Sequence, residues 1–197
     1  MSDFPVQLSF VNYQWDLRIK ECPCDVHFID WLDENSIKDA SIFHFGTGGH
    51  HHVGIECAKP ERRNSVLGIT AAPQEIESFI AFVVDRPGLA RYYTAVFGDI
   101  YLINSKLLPC FDVVTLFHLC EFRNWAHDLY GGMTDLEVTQ VLTDKTRSGG
   151  YILFYPGSLG FNLAGNAAAD VIAQWAEESP VERVGEFKTL LVYRKRG

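Results

Sequence analysis

The chain lacks any apolar run close to the roughly 20 residues of a membrane-spanning helix. Its first residues, Met1-Ser2-Asp3-Phe4-Pro5, lack a basic segment followed by an apolar one. No secretory leader and no membrane partner are therefore expected, and the expected location is cytoplasmic. Positive charge is in deficit, with 17 Lys and Arg against 25 Asp and Glu and a formal net charge of −8. Such a surface repels a phosphate backbone, so nucleic acid is not an expected partner. The basic cluster Arg194-Lys195-Arg196 is short and terminal, and reads as a solvated chain end. Cysteines number five, at 22, 24, 57, 110 and 120. An odd count without paired spacings excludes a disulfide framework. Cys22-Pro23-Cys24 puts one residue between the thiols, not the two of a zinc knuckle or a thioredoxin-like motif, so the spacing predicts no metal and no redox role.

What remains is a chain of 197 residues, 47% hydrophobic, with no repeat, low-complexity tract or linker. That is enough for one domain with its own core. We assign an N-terminal helical or lid segment to residues 1–38 and the core to 39–197. Strand-like and helix-like segments alternate, which predicts an α/β fold with a mainly parallel sheet. A helix is expected over 26–37, then strands over 41–45 and 65–70. A helix starting at Pro73 follows, then strands over 92–97 and 111–119. Residues 124–147 read as helical, interrupted at Gly131-Gly132, and Ser148-Gly149-Gly150 as a turn. A strand over 151–155 and a helix over 166–178 complete the crossover pattern. The last residues read as two strands joined near Gly185, adding antiparallel pairing.

The stretch "FHFGTGGHHHVG", residues 43–54, runs from a strand through glycines towards a helix. Glycines let backbone approach a ligand closely, and a helix start offers free N–H donors. Further stretches follow in a telling order: "SVLGITAAPQEI" (65–76), "FGDIYL" (97–102), "FDVVTLFHLCEF" (111–122), "RSGGYILFYPGS" (147–158) and "GEFKTLLVYRKR" (185–196). Together they resemble the class I S-adenosylmethionine-dependent methyltransferases, over about residues 26–197. The resemblance implies a Rossmann-like three-layer sandwich, with a mainly parallel seven-stranded sheet and an antiparallel C-terminal strand. It implies S-adenosylmethionine as cofactor and methyl transfer to a small-molecule acceptor. By the same resemblance the cofactor is contacted by Phe45, Gly46, Thr47, Gly48, His50, Thr70, Asp99, Ile100 and Phe117. Asp99 would meet the adenine amino group and Ile100 would pack on the ring.

Two positions depart from the family pattern. His50 stands where G-x-G-x-G has its third glycine, and Thr70 stands where the second strand normally ends in an acid that takes both ribose hydroxyls. A hydroxyl cannot match two charge-assisted bonds, a loss on the order of 1–3 kcal/mol. Neither Glu75 nor Glu77 is an obvious substitute.

His118 is the candidate catalytic base, at the carboxyl edge of a central strand where open α/β sheets bind ligands. Glu121 would orient it or hold a cationic acceptor. Phe10, Tyr13 and Trp15 read as core or as a lid. His50, His51 and His52 are too close in sequence to chelate one ion unaided, and they read as capping the helix start. Alternatives stay open: a binding or scaffold domain that kept the fold without the cofactor, or a metal-dependent enzyme using the histidines with His118, Cys120 or Glu121. A short-chain dehydrogenase is disfavoured, because no Tyr has a Lys four residues later. The oligomeric state is left open, a homodimer included.

Overall fold

Successive residues of the central strands send their side chains to opposite faces of one sheet. In the computed structural model, which describes residues 7–162 and 167–197, Ile42, Val113 and Leu153 enter one apolar cluster, while Phe43, Val114 and Ile152 enter the other. The strands carrying them are β1 (Ser41–Phe45), β4 (Phe111–Leu116) and β5 (Thr146–Phe154). With β2 (Ser65–Thr70), β3 (Tyr93–Phe97), β6 (Val181–Phe187) and β7 (Leu190–Lys195) they form a seven-stranded sheet in the order β3-β2-β1-β4-β5-β7-β6. Pairing is parallel from β3 to β5 and antiparallel on both sides of β7. Both faces are covered, so the central strands are apolar on both sides.

One face carries α1 (Cys24–Glu34), α2 (His52–Cys57) and α3 (Pro73–Asp85), and the other carries α5 (Asp135–Lys145) and α7 (Ala167–Glu178). Short helices α4 (Trp125–Leu129) and α6 (Leu159–Asn162) complete the set. α1 places Phe28, Ile29, Trp31 and Leu32 on one stripe, all buried. It is thus a core helix and not part of a lid, and the expected 1–38 segment divides there. α3 opens on Pro73, whose missing N–H is an orphan at a first turn anyway. α5 opens on a reciprocal Thr134–Glu137 capping box. Across the second face, buried Trp175 Nε1–H donates to Thr143 Oγ1 at 2.8 Å. No helix among the described residues is long and apolar enough to cross a membrane.

Several expected boundaries move. The first helix spans 24–34 and stops before Ser36, whose φ of 54° is left-handed. β4 ends at Leu116, and Phe117–Cys120 form a turn in which Cys120 has φ 65°. His118 therefore stands on that turn and not in the strand. Ser148-Gly149-Gly150 is no inter-element turn but a bulge inside β5, where two residues of β4 face five of β5. Gly185 likewise makes a bulge inside β6, and the hairpin turns at Lys188-Thr189. α1 pins that turn: His27 Nδ1 lies 2.8 Å from Thr189 Oγ1, and Lys188 pairs with Asp30. Asn166, the expected start of the last helix, lies outside the described residues.

Packing is close where α2 crosses β3. A Cβ on Gly54 would run into the ring of buried Tyr93. Gly54→Ala is expected to destabilise the fold at the upper end of the 1–3 kcal/mol typical of overpacking, overriding the ~1 kcal/mol gain in helix propensity. A urea midpoint equal to that of the wild type would contradict this.

Candidate functional site

The strand order reverses between β1 and β4, and a crevice opens at the carboxyl ends of β1, β2, β3 and β4. It encloses about 980 Å³ of empty space, counted out to its open mouth. Phe45, Gly46, Gly48 and His50 line it from the first crossover, and Thr70, Asp99 and Ile100 from the ends of β2 and β3. His118 and Glu121 line it from the turn after β4. Two expected contacts do not reach it. Phe117 is fully buried in the first core cluster, edge-on to Phe28 at 5.8 Å. Thr47 is also buried, with its hydroxyl turned to Glu75.

The N-terminal segment crosses the mouth as a strap. Val11 N–H donates to Ala71 O at 3.0 Å, Gly49 N–H to Trp15 O at 2.9 Å, and Asn124 Nδ2 to Ser9 Oγ at 2.9 Å. Trp15 lines the cavity and meets Phe122 edge-on at 5.9 Å. Phe10 and Tyr13 are exposed and do not line it.

The glycine loop turns tightly, with φ 86° at Gly46 and 56° at Gly48. Its amides are not bare as expected: Gly49 N–H goes to the strap, and His52 N–H donates to His50 Nδ1 at 3.1 Å. The His50 ring folds over Gly48, where a Cβ would collide with it, and its Nε2 lies 3.9 Å from Asp25 Oδ2. The three histidines diverge. His51 is buried against α3 and β3, its Nε2–H donating to the Glu75 carbonyl at 2.8 Å and its Nδ1 accepting from the Tyr93 hydroxyl at 2.6 Å. His52 faces the Glu56 and Lys59 side. Among the described residues, the group of side chains placed to hold a metal ion includes none of these three.

Glu75, which its place in the sequence does not mark out as a substitute for the missing acid, reaches this end of the cavity. Its Oε2 accepts from Thr70 Oγ1 at 2.7 Å and Thr47 Oγ1 at 3.0 Å, and the carboxylate lines the cavity beside the end of β2. Burial raises its pKa, against the pull of the two hydroxyls. The usable signal was its place as third residue of α3, from which a carboxylate reaches back to the helix start. Asp99 is fixed similarly: Oδ1 accepts from Tyr101 N–H at 2.9 Å, and Oδ2 from the Tyr130 hydroxyl at 2.8 Å.

At the opposite end, the start of α1 meets the turn after β4. Cys22 and Cys24 stand 3.5 Å apart, Sγ to Sγ, and their sulfurs and a ring nitrogen of His118 all lie within 4.8 Å of one another. His118 Nδ1 is 3.2 Å from both Glu121 oxygens, and Glu121 Oε1 also accepts from Leu159 N–H at 3.0 Å. Burial disfavours charge on His118, but the bond to Glu121 and that carboxylate's charge outweigh it and hold the imidazole at about 9. The hydrogen bond from Cys24 draws Cys22 down to about 6, while the Cys24 thiol is pushed up. Burial lifts Asp25 to about 7. Beneath them His44, held neutral by burial, has an Nε2 with no hydrogen-bond partner, 3.8 Å from Asp25 Oδ1.

No family model and no curated protein matches the chain. Solved structures do match. A methyltransferase from Pyrococcus furiosus aligns at a TM-score of 0.60 and 12% identity, over 88% of this chain and 83% of that one. The chain has the class I methyltransferase fold. A precorrin-6y C5,15-methyltransferase from Geobacter metallireducens GS-15 aligns at 0.57 and 16% identity, over 89% and 88% of the two chains. The [4+2]-cyclase SpnF aligns at 0.60 and 12%, over 87% and 80%. Other matched enzymes are larger, and the chain spans 35% of the length of one of them.

The buried histidines of this methyltransferase fold make its stability pH-dependent. Burial lowers His51 from 6.5 to about 4, with the bond to the Glu75 carbonyl acting against it. Well above pH 6.5 neither folded nor unfolded chain protonates it. Between 6.5 and 4 the unfolded chain takes up a proton that the folded one refuses, so stability falls as pH falls, by about 3 kcal/mol at the lower end. Urea midpoints at pH 7.5 and pH 4.5 should show this loss, and His51→Asn should shallow it. An equal slope in the variant would exclude His51 as the source.

Proposed function

We propose that this chain binds S-adenosylmethionine in the crevice and transfers its methyl group to a small-molecule acceptor. The observation that carries the reading is the Glu75 carboxylate, held by Thr47 and Thr70 at the end of β2, in one cavity with the Asp99 carboxylate at the end of β3. The donor set fits a nucleoside: Glu75 accepts from ribose hydroxyls, in place of the acid missing at Thr70, and Asp99 accepts from the adenine amino group. Ile100, buried beside Asp99, offers the apolar face. When bound, the sulfonium supplies a methyl group on a good leaving group, so the protein's task is mainly alignment and exclusion of water. Trp15 and Phe122 cover the mouth. His118 and Glu121 stand at the acceptor end. His118 Nδ1 is taken up by Glu121, so this pair positions an acceptor through hydrogen bonds, not as a free base. A cavity crossed by a strap suits a small acceptor, and a net charge of −8 disfavours a polyanionic one.

One observation favours a second reading, a binding domain without methyl transfer. The amides of Gly49 and His52 already have partners, and His50 lies over Gly48. His50→Gly separates the two readings: an affinity for S-adenosylhomocysteine that rises tenfold or more marks a degenerate loop, and an unchanged one a working loop.

Isothermal titration of the wild type with S-adenosylmethionine and S-adenosylhomocysteine is expected to show binding, and Glu75→Gln to weaken it about tenfold, the size of a lost charge-assisted bond. No heat and no thermal shift at millimolar ligand in the wild type would overturn the proposal.

A further inference from the structure

We propose that Cys22, Cys24 and His118 are the ligands of a transition-metal ion, zinc by the chemistry of the donor set, with a fourth position open to the cavity. The spacing is close to that of a tetrahedral site. Two sulfurs bound at about 2.3 Å stand about 3.8 Å apart, and a sulfur and an imidazole nitrogen about 3.6 Å. The sulfurs here are 3.5 Å apart, and all three donors lie within 4.8 Å of one another. Closing the site needs movements of roughly an ångström.

The surroundings of the imidazole match what a metal ligand requires. A ligating histidine donates its other ring N–H to a carboxylate or carbonyl, which fixes the tautomer and the ring plane. His118 gives Nδ1 to Glu121, and Glu121 is itself held by the Leu159 amide at the start of α6. That leaves Nε2, on the ring edge towards Gly46, as the nitrogen for a metal. A Cβ on Gly46 would stand 2.9 Å from Cδ2 of this ring, so the glycine loop makes room for the imidazole as well as for a ligand.

Three protein ligands of the Cys2His type leave zinc one position for water or a substrate atom. Cys22, Cys24, His118 and Glu121 all line the cavity, so that position faces the acceptor end. Two soft thiolates and an imidazole select zinc over magnesium, calcium or manganese. The inference does not rest on the methyl-transfer reading, because it needs no nucleoside in the crevice. Glu121 acts here through His118, as a positioning residue.

The test is metal analysis of the full chain, purified reduced, without an affinity tag, from cells supplied with zinc. One zinc per chain is expected, and Co2+ in its place should give thiolate-to-cobalt charge transfer and the strong visible bands of tetrahedral coordination. Cys22→Ser and His118→Ala should each lose the metal, Glu121→Gln should weaken its binding tenfold or more, and Cys110→Ser should retain it. Should a variant fail to fold, alkylation of the wild type gives the answer: zinc should protect Cys22 while exposed Cys110 reacts. Reduced, folded wild type that takes up no zinc, or that carries a Cys22–Cys24 disulfide and excludes the metal after reduction, would overturn the proposal. So would metal retained by the Cys22→Ser/Cys24→Ser double variant.

Discussion

The parallel pairing of β1 with both β2 and β4 is the constraint on which the rest depends. Parallel neighbours cannot be joined by a tight hairpin, so each connection must cross the sheet as a helix or long loop. Connections on the β2 side run over one face, and those beyond β4 over the other. Chain therefore departs in opposite directions from the carboxyl ends of β1 and β4, and nothing in the sheet fills the gap between them. The crevice is a consequence of strand order before any particular side chain is considered.

Side chains then divide that gap into two ends of different chemistry. Near β2 and β3 the polar groups are carboxylates, each fixed by hydroxyl or amide donors, above an apolar floor. Near the start of α1 they are thiols, imidazoles and the carboxyls of Asp25 and Glu121, closely packed around one unpartnered atom, His44 Nε2. The first set suits a neutral ligand rich in donors. The second set leaves His44 Nε2 without a hydrogen bond, where buried polar groups normally find partners. His50 lies between the two ends, folded over the loop with its Nε2 towards Asp25.

The fold was largely legible in the sequence, and the reason is local. β1 and β2 match their expected ranges because each is a run of apolar residues ended by a glycine turn or a proline-led helix. α1, α3 and α7 show their apolar stripes directly. Boundaries failed where glycine serves a bulge: Gly149 and Gly185 read as turn residues, yet both sit inside strands because neighbouring strands hold the chain on either side. The site was legible in proportion to its locality. Gly46, Gly48, Thr70 and Asp99 sit at or just after strand ends, where the resemblance put them, and all line the crevice. The cluster of Cys22, Cys24 and His118 joins two distant segments, and a Cys-x-Cys spacing carries no sign of its third member. Glu75 is not legible from the strand end, because the helix after that end turns it back.

The bond between Gly49 N–H and the Trp15 carbonyl has a kinetic meaning. A bound molecule that engages that amide has to displace the strap's own carbonyl, and the strap in turn spans the entrance. Admission and retention thus compete for a single hydrogen, which ties the residence time of anything held inside to how readily residues 9–18 peel away.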